Sequence, residues 1–218
     1  PTAGANLFEL ANLEARDDLV ERFGRVLDTP GQVHEVEMKV FHADGQEVWL
    51  GVRAVNLLED PDIGGVLINL HDITLRKDVE DQLVYQAFHD ALTGLANRSL
   101  FSDRVQQALR RNLRTGGEVG VIFLDLDGFK SVNDSLGHAA GDALLRDVAK
   151  RLLEAVRPSD TVARLGGDEF VIVYEPNRPG SGKLVELIDT SLMQPIEIAP
   201  AVSVVCPASI GTADTRRV

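Results

Sequence analysis

The stretch RLGGDEF at residues 164–170 decides the fold of the second half of the chain. Apolar residues flank it on both sides, so we predict a β-hairpin with its tight turn at Gly166-Gly167. A glycine turn leaves the backbone open to a ligand, and it places Asp168 and Glu169 at the start of the second strand. Adjacent carboxylates repel each other, so a hard cation is their natural partner. A solvated hairpin tip is the alternative that these residues leave open.

A second acidic strand end lies upstream of the hairpin. The apolar run at residues 119–126 predicts a strand buried on both faces, and Asp125 stands near its carboxyl end, where we expect the edge of the sheet. Residues 131–142 are polar and punctuated by glycine, so we predict a loop there, followed by a helix over residues 144–156. Two acidic clusters on neighbouring strands, with Lys130 beside one of them, indicate a site for a metal ion and a phosphate.

Four blocks of sequence resemble, in order and spacing, the GGDEF family of diguanylate cyclases. They are DALTGLANR at residues 90–98, DLDGFKSVND at 125–134, GHAAGD at 137–142 and RLGGDEF at 164–170. The resemblance implies an α+β, palm-like domain whose central, mainly antiparallel sheet is flanked by helices. It also implies a bacterial signal-transduction transferase that condenses two GTP molecules into cyclic di-GMP and pyrophosphate with Mg²⁺ (or Mn²⁺).

The resemblance assigns the metal site to four residues. Asp125 and Asp168 are expected to ligate the metal with help from the backbone carbonyl of Leu126. Glu169 is expected to complete the metal site or to help deprotonate the attacking 3′-hydroxyl. These roles are chemically reasonable, because Mg²⁺ prefers carboxylate oxygens and substrate phosphates to a cage made entirely of protein.

The resemblance also assigns the nucleotide contacts. Asn133 and Asp142 are expected to read the guanine edge, since an amide offers a donor and an acceptor while a carboxylate accepts from N1–H and the exocyclic amine. The backbone at Gly128 and Phe129, with Lys130, is expected to hold phosphate oxygens. A surface lysine without a ligand is the alternative for Lys130.

Two further residue groups have competing interpretations. The alternation of a strand puts Asp127 on the same face as Asp125, and we predict that Asp127 caps the following turn, with a supporting carboxylate as the alternative. The segment 157–160 matches the family's RxxD inhibitory motif, which implies that Arg157 and Asp160 bind the product. The same residues fit an ordinary turn from a helix into a strand.

Composition agrees with this interpretation. The chain has 218 residues, a formal net charge of −12 and one cysteine. The acidic balance argues against nucleic-acid binding, the lone cysteine is consistent with a reducing cytoplasm, and no apolar run is long enough to span a membrane. Residues 1–90 hold 7 basic against 18 acidic residues, whereas residues 91–218 hold 15 against 16. This contrast predicts that the acidic half is a separate unit.

The first half predicts a helix followed by an antiparallel meander. Helical spacing of apolar residues occurs within 7–27, and three strands are predicted at 33–41, 47–58 and 65–70. The exit Asp72-Ile73-Thr74 is similar to that of PAS sensor domains. We therefore predict a partial PAS-like domain over residues 1–74, which lacks that family's N-terminal strands and short helices.

A linker helix is predicted over residues 75–89. Its apolar residues recur at i+4 intervals, at Leu75, Val79, Leu83 and Ala87. The stripe favours a homodimer seam, with packing against a flanking domain as the alternative. Residues 90–218 are the predicted GGDEF domain, C-terminally incomplete because the family continues with a further helix. Residues 183–211 resemble versions that an EAL phosphodiesterase domain follows.

We interpret the chain as a diguanylate cyclase regulated by its PAS-like domain and by its product. The alternative is a catalytically inactive module that binds GTP or cyclic di-GMP, from a GGDEF–EAL protein. Asp125, Asp168 and Glu169 favour an enzyme, because a module that only binds has no need for all three. Another nucleotidyl cyclase on this fold is a further alternative, against which Asn133 and Asp142 argue for guanine.

Overall fold

The computed structural model describes residues 16–41, 45–175 and 181–215. The chain divides into two compact units, Pro1–Leu83 and Val84–Val218. Each unit contains its own antiparallel sheet. Among the described residues, no helix is both long and apolar enough to cross a lipid bilayer.

The first unit is a helix packed on a three-stranded sheet. Its elements are α1 (Arg16–Asp28), β1 (Val33–Phe41), β2 (Glu47–Leu57) and β3 (Gly65–Asp72), with strand order β1-β2-β3. Val26 of α1 and Val52 and Ala54 of β2 are buried, so the helix covers one face of the sheet. The meander matches the predicted strands, while residues 7–15 of the predicted helix and the predicted turn residues 43 and 44 lie outside the described residues.

The linker helix, α2 (Thr74–Phe88), begins in the first unit. The Thr74 N–H donates to Asp72 Oδ1 at 2.8 Å, and the Trp49 N–H donates to Thr74 Oγ1 at 2.9 Å. The start of the helix is therefore fixed to β2 and to the end of β3. No residue of α2 is buried, and the predicted seam residues Leu75, Val79 and Leu83 are all exposed.

The second unit is a four-stranded sheet with helices on both faces. Its elements are α3 (Arg98–Thr115), β4 (Gly120–Leu126), α4 (Phe129–Leu136), α5 (His138–Ala155), β5 (Thr161–Gly166), β6 (Glu169–Tyr174), α6 (Ser181–Leu192), β7 (Ile196–Ala199), β8 (Val202–Val204) and β9 (Ala208–Asp214). The order β5-β6-β4-β9 pairs every neighbour antiparallel, and β7 and β8 form a separate ribbon. The predicted α+β class with an antiparallel sheet is confirmed.

The core of the second unit lies between the sheet and the helices α5 and α6. Its largest fully buried side chains are Ile122, Leu126, Leu144, Leu145, Leu152, Phe170, Ile172, Ile188, Leu192 and Ile196. Burial of such side chains contributes about 1.5–3 kcal/mol each, before the cost of ordering the chain. On the opposite face, α3 packs above β5 and β6 through Leu100 and Phe101.

Strand β4 is buried on one face only along its second half. Ile122, Leu124 and Leu126 are buried, whereas Phe123 is 50% exposed and Asp125 is exposed. The prediction of burial on both faces is therefore wrong at this end. The reason is that α3 packs above β5 and β6, so the face that carries Asp125 stays open.

The polar segment predicted as a loop is helical. Residues 129–136 form α4 and residues 138–155 form α5, with Gly137 between them at a φ of 84°. Phe129 and Val132, one helical turn apart, pack against the core. Two apolar residues among polar ones are too few to show a helical spacing, so the sequence pattern did not predict α4.

The hairpin turn is shifted by one residue from the prediction. Gly166 still pairs with Glu169, so Gly167 and Asp168 form the turn itself. Gly166 and Gly167 have φ values of 143° and 55°, which L-residues rarely adopt. Both glycines are therefore required, and Asp168 lies in the turn rather than at the strand start.

Candidate functional site

The predicted acidic residues come together at the hairpin end of the sheet. Asp125 stands directly opposite Glu169 of β6 and, on its other side, opposite Ser209 of β9. Residues at opposed positions of antiparallel strands share one face, with Cβ atoms about 5 Å apart. The Leu126 N–H donates to the Asp168 carbonyl oxygen at 3.3 Å, which ties the turn to the end of β4. Asp125, Leu126, Asp168 and Glu169 are thus neighbours.

Arg164 of β5 anchors the turn that carries Asp168. Its Nε and Nη2 atoms donate to the Gly167 carbonyl oxygen at 2.9 and 2.7 Å. Its Nη1 donates to Asp90 Oδ1 at 3.0 Å, and Asp90 Oδ1 also accepts from the backbone and the hydroxyl of Thr93. Burial raises the pKa of Asp90, but the Thr93 hydrogen bonds and the Arg164 charge outweigh it and hold the pKa below its ordinary value. The turn geometry therefore depends on an ion pair 74 positions apart in sequence.

Asp127 is held by the segment that enters β9. Its Oδ1 accepts from Ser209 Oγ at 2.9 Å, and its N–H donates to the Pro207 carbonyl oxygen at 2.8 Å. The predicted turn cap is wrong, since α4 begins without a side-chain cap. Cys206 Sγ lies 3.6 Å from the Asp127 carbonyl oxygen, and burial, with the nearby charges of Asp127 and Asp168, raises the pKa of this thiol to about 11.

The start of α4 offers backbone donors next to these carboxylates. Gly128 precedes the helix with a φ of 77°, and its carbonyl oxygen accepts the first helical hydrogen bonds, from Ser131 and Val132. The first N–H groups of a helix have no hydrogen-bond partner within the helix, and the positive end of the helix dipole lies there. Both features favour binding of an anion at the start of a helix. Lys130, exposed in the first turn, adds a positive charge there.

Asn133 and Asp142 lie on helices that pack against each other. Asn133 of α4 is half-buried, and its side chain lies against the backbone of Gly141 on α5, one residue before Asp142. The two residues that were expected to read guanine are therefore close, although α4 itself was not predicted.

The segment 157–160 forms a compact turn between α5 and β5. The Arg157 N–H donates to Asp160 Oδ2 at 3.0 Å, and the Asp160 N–H donates to the Arg157 carbonyl oxygen at 2.9 Å. The turn sits at the opposite end of β5 from Gly166. This geometry fits the helix-to-strand turn, and the inhibitory role of the motif stays a prediction.

The donor set of the acidic residues suits a hard cation. Within the described ranges, no three His, Cys, Asp or Glu side chains converge as a preformed metal cage. Asp125, Asp168 and Glu169 offer carboxylate oxygens, and Arg98 lies near Glu169, with its Nη2 at 4.0 Å from Oε2. A few carboxylates beside the N-terminal end of a helix match what Mg²⁺ requires.

The roles of three residues near the site were missed by the sequence patterns. Ser209 is a small polar residue whose position opposite Asp125 depends on strand register, which the sequence did not reveal. The role of Arg164 depends on its distant partner Asp90. Gly141 belongs to a quoted motif, but nothing in the pattern indicated which side chain lies against it.

Comparison with known proteins settles the family. A family model described as the GGDEF domain of diguanylate cyclases matches residues 87–216. The chain belongs to the GGDEF family. Its relative MucR of Pseudomonas aeruginosa, a bifunctional diguanylate cyclase/cyclic di-GMP phosphodiesterase, is 46% identical over 133 residues, which are 61% of this chain and 19% of MucR.

Two further relatives extend the comparison of this GGDEF protein. PdeR of Escherichia coli, a cyclic di-GMP phosphodiesterase, is 32% identical over 212 residues, which are 96% of this chain and 32% of PdeR. The chain thus spans about a fifth to a third of these curated relatives. The coiled coil and GGDEF domain of DgcB from Caulobacter crescentus, solved in complex with c-di-GMP, matches with a TM-score of 0.58 and 28% identity, over 64% of this chain and 75% of that one.

Proposed function

We propose that the second unit is a diguanylate cyclase, which joins two GTP molecules into cyclic di-GMP and releases pyrophosphate. The observation that carries this proposal is the opposition of Asp125 and Glu169 across β4 and β6, beside a turn that Arg164 anchors at Gly167. Membership of the GGDEF family and the cyclase activity named for MucR support it.

The site residues would make three kinds of contact, with the metal ion, with the phosphates and with the guanine base. Asp125 and Asp168, with the Leu126 carbonyl, would hold Mg²⁺ or Mn²⁺, and Glu169 would complete that set or take the proton of the 3′-hydroxyl. Such an ion supplies charge neutralisation at the phosphates and lowers the pKa of an attacking hydroxyl. The carboxylate of Glu169 is 55% exposed, so an incoming hydroxyl can reach it.

The α4 end of the site would bind the nucleotide. The N–H groups of Gly128 and Phe129 and the ammonium of Lys130 would hold phosphate oxygens. Asn133 and Asp142 would read the guanine edge with a donor, an acceptor and a carboxylate. Helix α4 thus connects the phosphate end to the base end of the nucleotide over its 8 residues.

Condensation of two nucleotides requires two copies of the site. Each second unit has one set of these residues, so we propose a homodimer in which two GTP molecules meet head to tail. The exposed stripe of Leu75, Val79 and Leu83 on α2 is the candidate seam. Exposed apolar residues at i+4 spacing supply the surface that a helix pair buries.

The first unit is proposed to be a partial PAS-like regulator. Its helix, its three-stranded meander and its Asp72-Ile73-Thr74 exit support a sensor domain over residues 1–74, with a linker at 75–89 and the GGDEF domain from residue 90. We also propose product feedback through Arg157 and Asp160, supported by the DgcB complex with c-di-GMP.

A binding module is the second candidate function. PdeR, which aligns with nearly the whole chain, is named as a phosphodiesterase. In this alternative, the GGDEF domain would regulate a neighbouring EAL domain in the full-length protein. Such a domain would bind GTP or cyclic di-GMP without forming product.

One experiment separates the two candidates. The chain is incubated with GTP and Mg²⁺, the product is identified by mass, and GTP binding is measured in parallel. Asp168→Ala and Glu169→Ala should each abolish product without loss of the fold, because charge neutralisation is worth several kcal/mol. Glu154→Ala, which removes an exposed carboxylate of α5, is the control. Near-normal product from both site variants would contradict the mechanism, and GTP binding without product would favour the binding module.

A further inference from the structure

Gly141 occupies a crowded position between two helices. It lies in the first turn of α5, buried where that helix packs on α4. A Cβ atom at this position would stand 2.0 Å from Oδ1 and 2.9 Å from Cγ of Asn133, and 3.2 Å from Cε2 of Phe129. Since real Cβ contacts do not fall below about 3 Å, not even a methyl group can share this space with the Asn133 amide.

Backbone conformation does not explain the glycine. The φ of Gly141 is not in the left-handed region, so an L-residue could adopt the same backbone. Glycine inside a helix is about 1 kcal/mol less favourable than alanine. Gly182, in the first turn of α6, would meet nothing within 4 Å if it carried a Cβ atom. Gly141 therefore leaves room for a neighbouring side chain, whereas Gly182 has no such neighbour.

We infer that Gly141 is a positioning residue for nucleotide specificity, because it leaves the space in which the Asn133 amide is seated beside Asp142. This inference rests on the proposed GTP site. An amide and a carboxylate discriminate guanine only if both are fixed, since each must meet its own donor or acceptor on the base. A methyl group at position 141 forces Asn133 into another rotamer, while the helix itself gains propensity.

The expected effect is a loss of specificity without a loss of fold. Gly141→Ala should bind a non-hydrolysable GTP analogue at least tenfold more weakly than the unmodified chain. The same variant should lose part of its preference for that analogue over the corresponding inosine and adenosine analogues, because the base contacts are what distinguish them. Its thermal stability should stay close to that of the unmodified chain. Gly182→Ala, the same substitution in open space, should leave the affinities and the base preference unchanged, while its better helix propensity makes α6 slightly more stable.

A double-mutant cycle shows whether Gly141 acts through Asn133. Affinities for the three analogues with Mg²⁺ are measured by calorimetry for Gly141→Ala, Asn133→Ala and the double variant. If Gly141 only seats Asn133, the double variant binds the GTP analogue as Asn133→Ala does. Additive losses, or unchanged affinity in Gly141→Ala, would overturn the inference while leaving the GTP site standing. Absence of binding by the unmodified chain would instead overturn the proposed function, and the inference with it.

Discussion

Replacing Arg164 with methionine should destabilise the second unit by about 2–3 kcal/mol. Methionine keeps much of the apolar stem but removes the guanidinium that bridges the Gly167 carbonyl and Asp90. The side chains of Arg164 and Asp90 are only 11% and 22% exposed. Removing one partner of a fully buried pair costs about 3–5 kcal/mol, and the residual solvent contact here reduces that to about 2–3 kcal/mol.

Hydrogen exchange of the strands measures this effect directly. Exchange of amides in β4 and β6 reports the free energy of opening of the second unit by itself, which avoids assuming a single transition for a chain with two units. Arg111→Met is the matched control, because Arg111 pairs with Glu175 at 2.9 Å with side chains 57% and 37% exposed. The control should lose less than about 1 kcal/mol. Equal losses in the two variants would refute the argument that burial makes the Arg164 pair strong.

The same pair predicts a pH dependence with a defined sign. The folded pKa of Asp90 is lowered, so its contribution to stability is present above the unfolded value of about 3.9 and is lost as the pH falls through the folded value. The stability gap between the unmodified chain and Asp90→Asn should therefore be largest near neutral pH and shrink below about pH 4. A gap that widens on acidification would contradict this sign.

Three other predictions concern separate contacts. Arg157→Ala should weaken cyclic di-GMP binding at least tenfold in calorimetry. GTP turnover should stay intact, since β5 separates the turn at residues 157–160 from the acidic site by about 16 Å. Unchanged affinity for cyclic di-GMP would mean that residues 157–160 are only a helix-to-strand turn. Ser209→Ala should weaken binding of Mg²⁺ with a GTP analogue several-fold. It releases the carboxylate of Asp127, which directly follows Leu126, whose carbonyl is a proposed metal ligand. Ser209→Thr keeps the hydroxyl and should keep the affinity, and equal affinities in the two variants would exclude this role. Arg151→Met should lower the free energy of opening of α6 by about 2–3 kcal/mol, measured by amide exchange. The reason is that Arg151 donates to the carbonyl oxygens of Ser191, Gln194 and Pro195. Unchanged exchange in α6 would contradict this prediction.

Local sequence patterns predicted where the strands lie better than they predicted which side chains are buried. Apolar runs and turn residues located β1, β2 and β3 of the first sheet and β4, β5 and β6 of the second, because such patterns are properties of adjacent residues. Strand β9 was not predicted from the sequence. The exposure of Phe123 was not predictable in the same way, since it depends on where α3 packs. The helix α4 was missed because only Phe129 and Val132 of its residues contact the core.

In the candidate site, too, the sequence located the residues but did not predict the contacts between residues far apart in the chain. The blocks of the GGDEF family located Asp125, Asp168 and Glu169 along the chain, and these residues are neighbours at the hairpin end of the sheet. The contacts that orient them involve residues far apart in sequence, such as Arg164 with Asp90 and Ser209 with Asp127. Such pairs depend on strand register and on loop closure, which no short window of sequence contains.

Because its thiol is buried, Cys206 can report transient opening at the edge of the sheet. The side chain is 1% exposed, and burial, with the charges of Asp127 and Asp168, raises the pKa of its thiol to about 11. At pH 8 the closed form therefore carries very little of the reactive thiolate. An alkylating reagent therefore labels mainly those molecules in which Cys206 has become accessible, so the labelling rate reports how often the segment before β9 opens. Because the chain has one cysteine, the mass shift is unambiguous without any engineered change. A nucleotide that binds only the closed form would slow this labelling in proportion to its saturation, so a footprinting time course can count ligand occupancy in an unmodified sample.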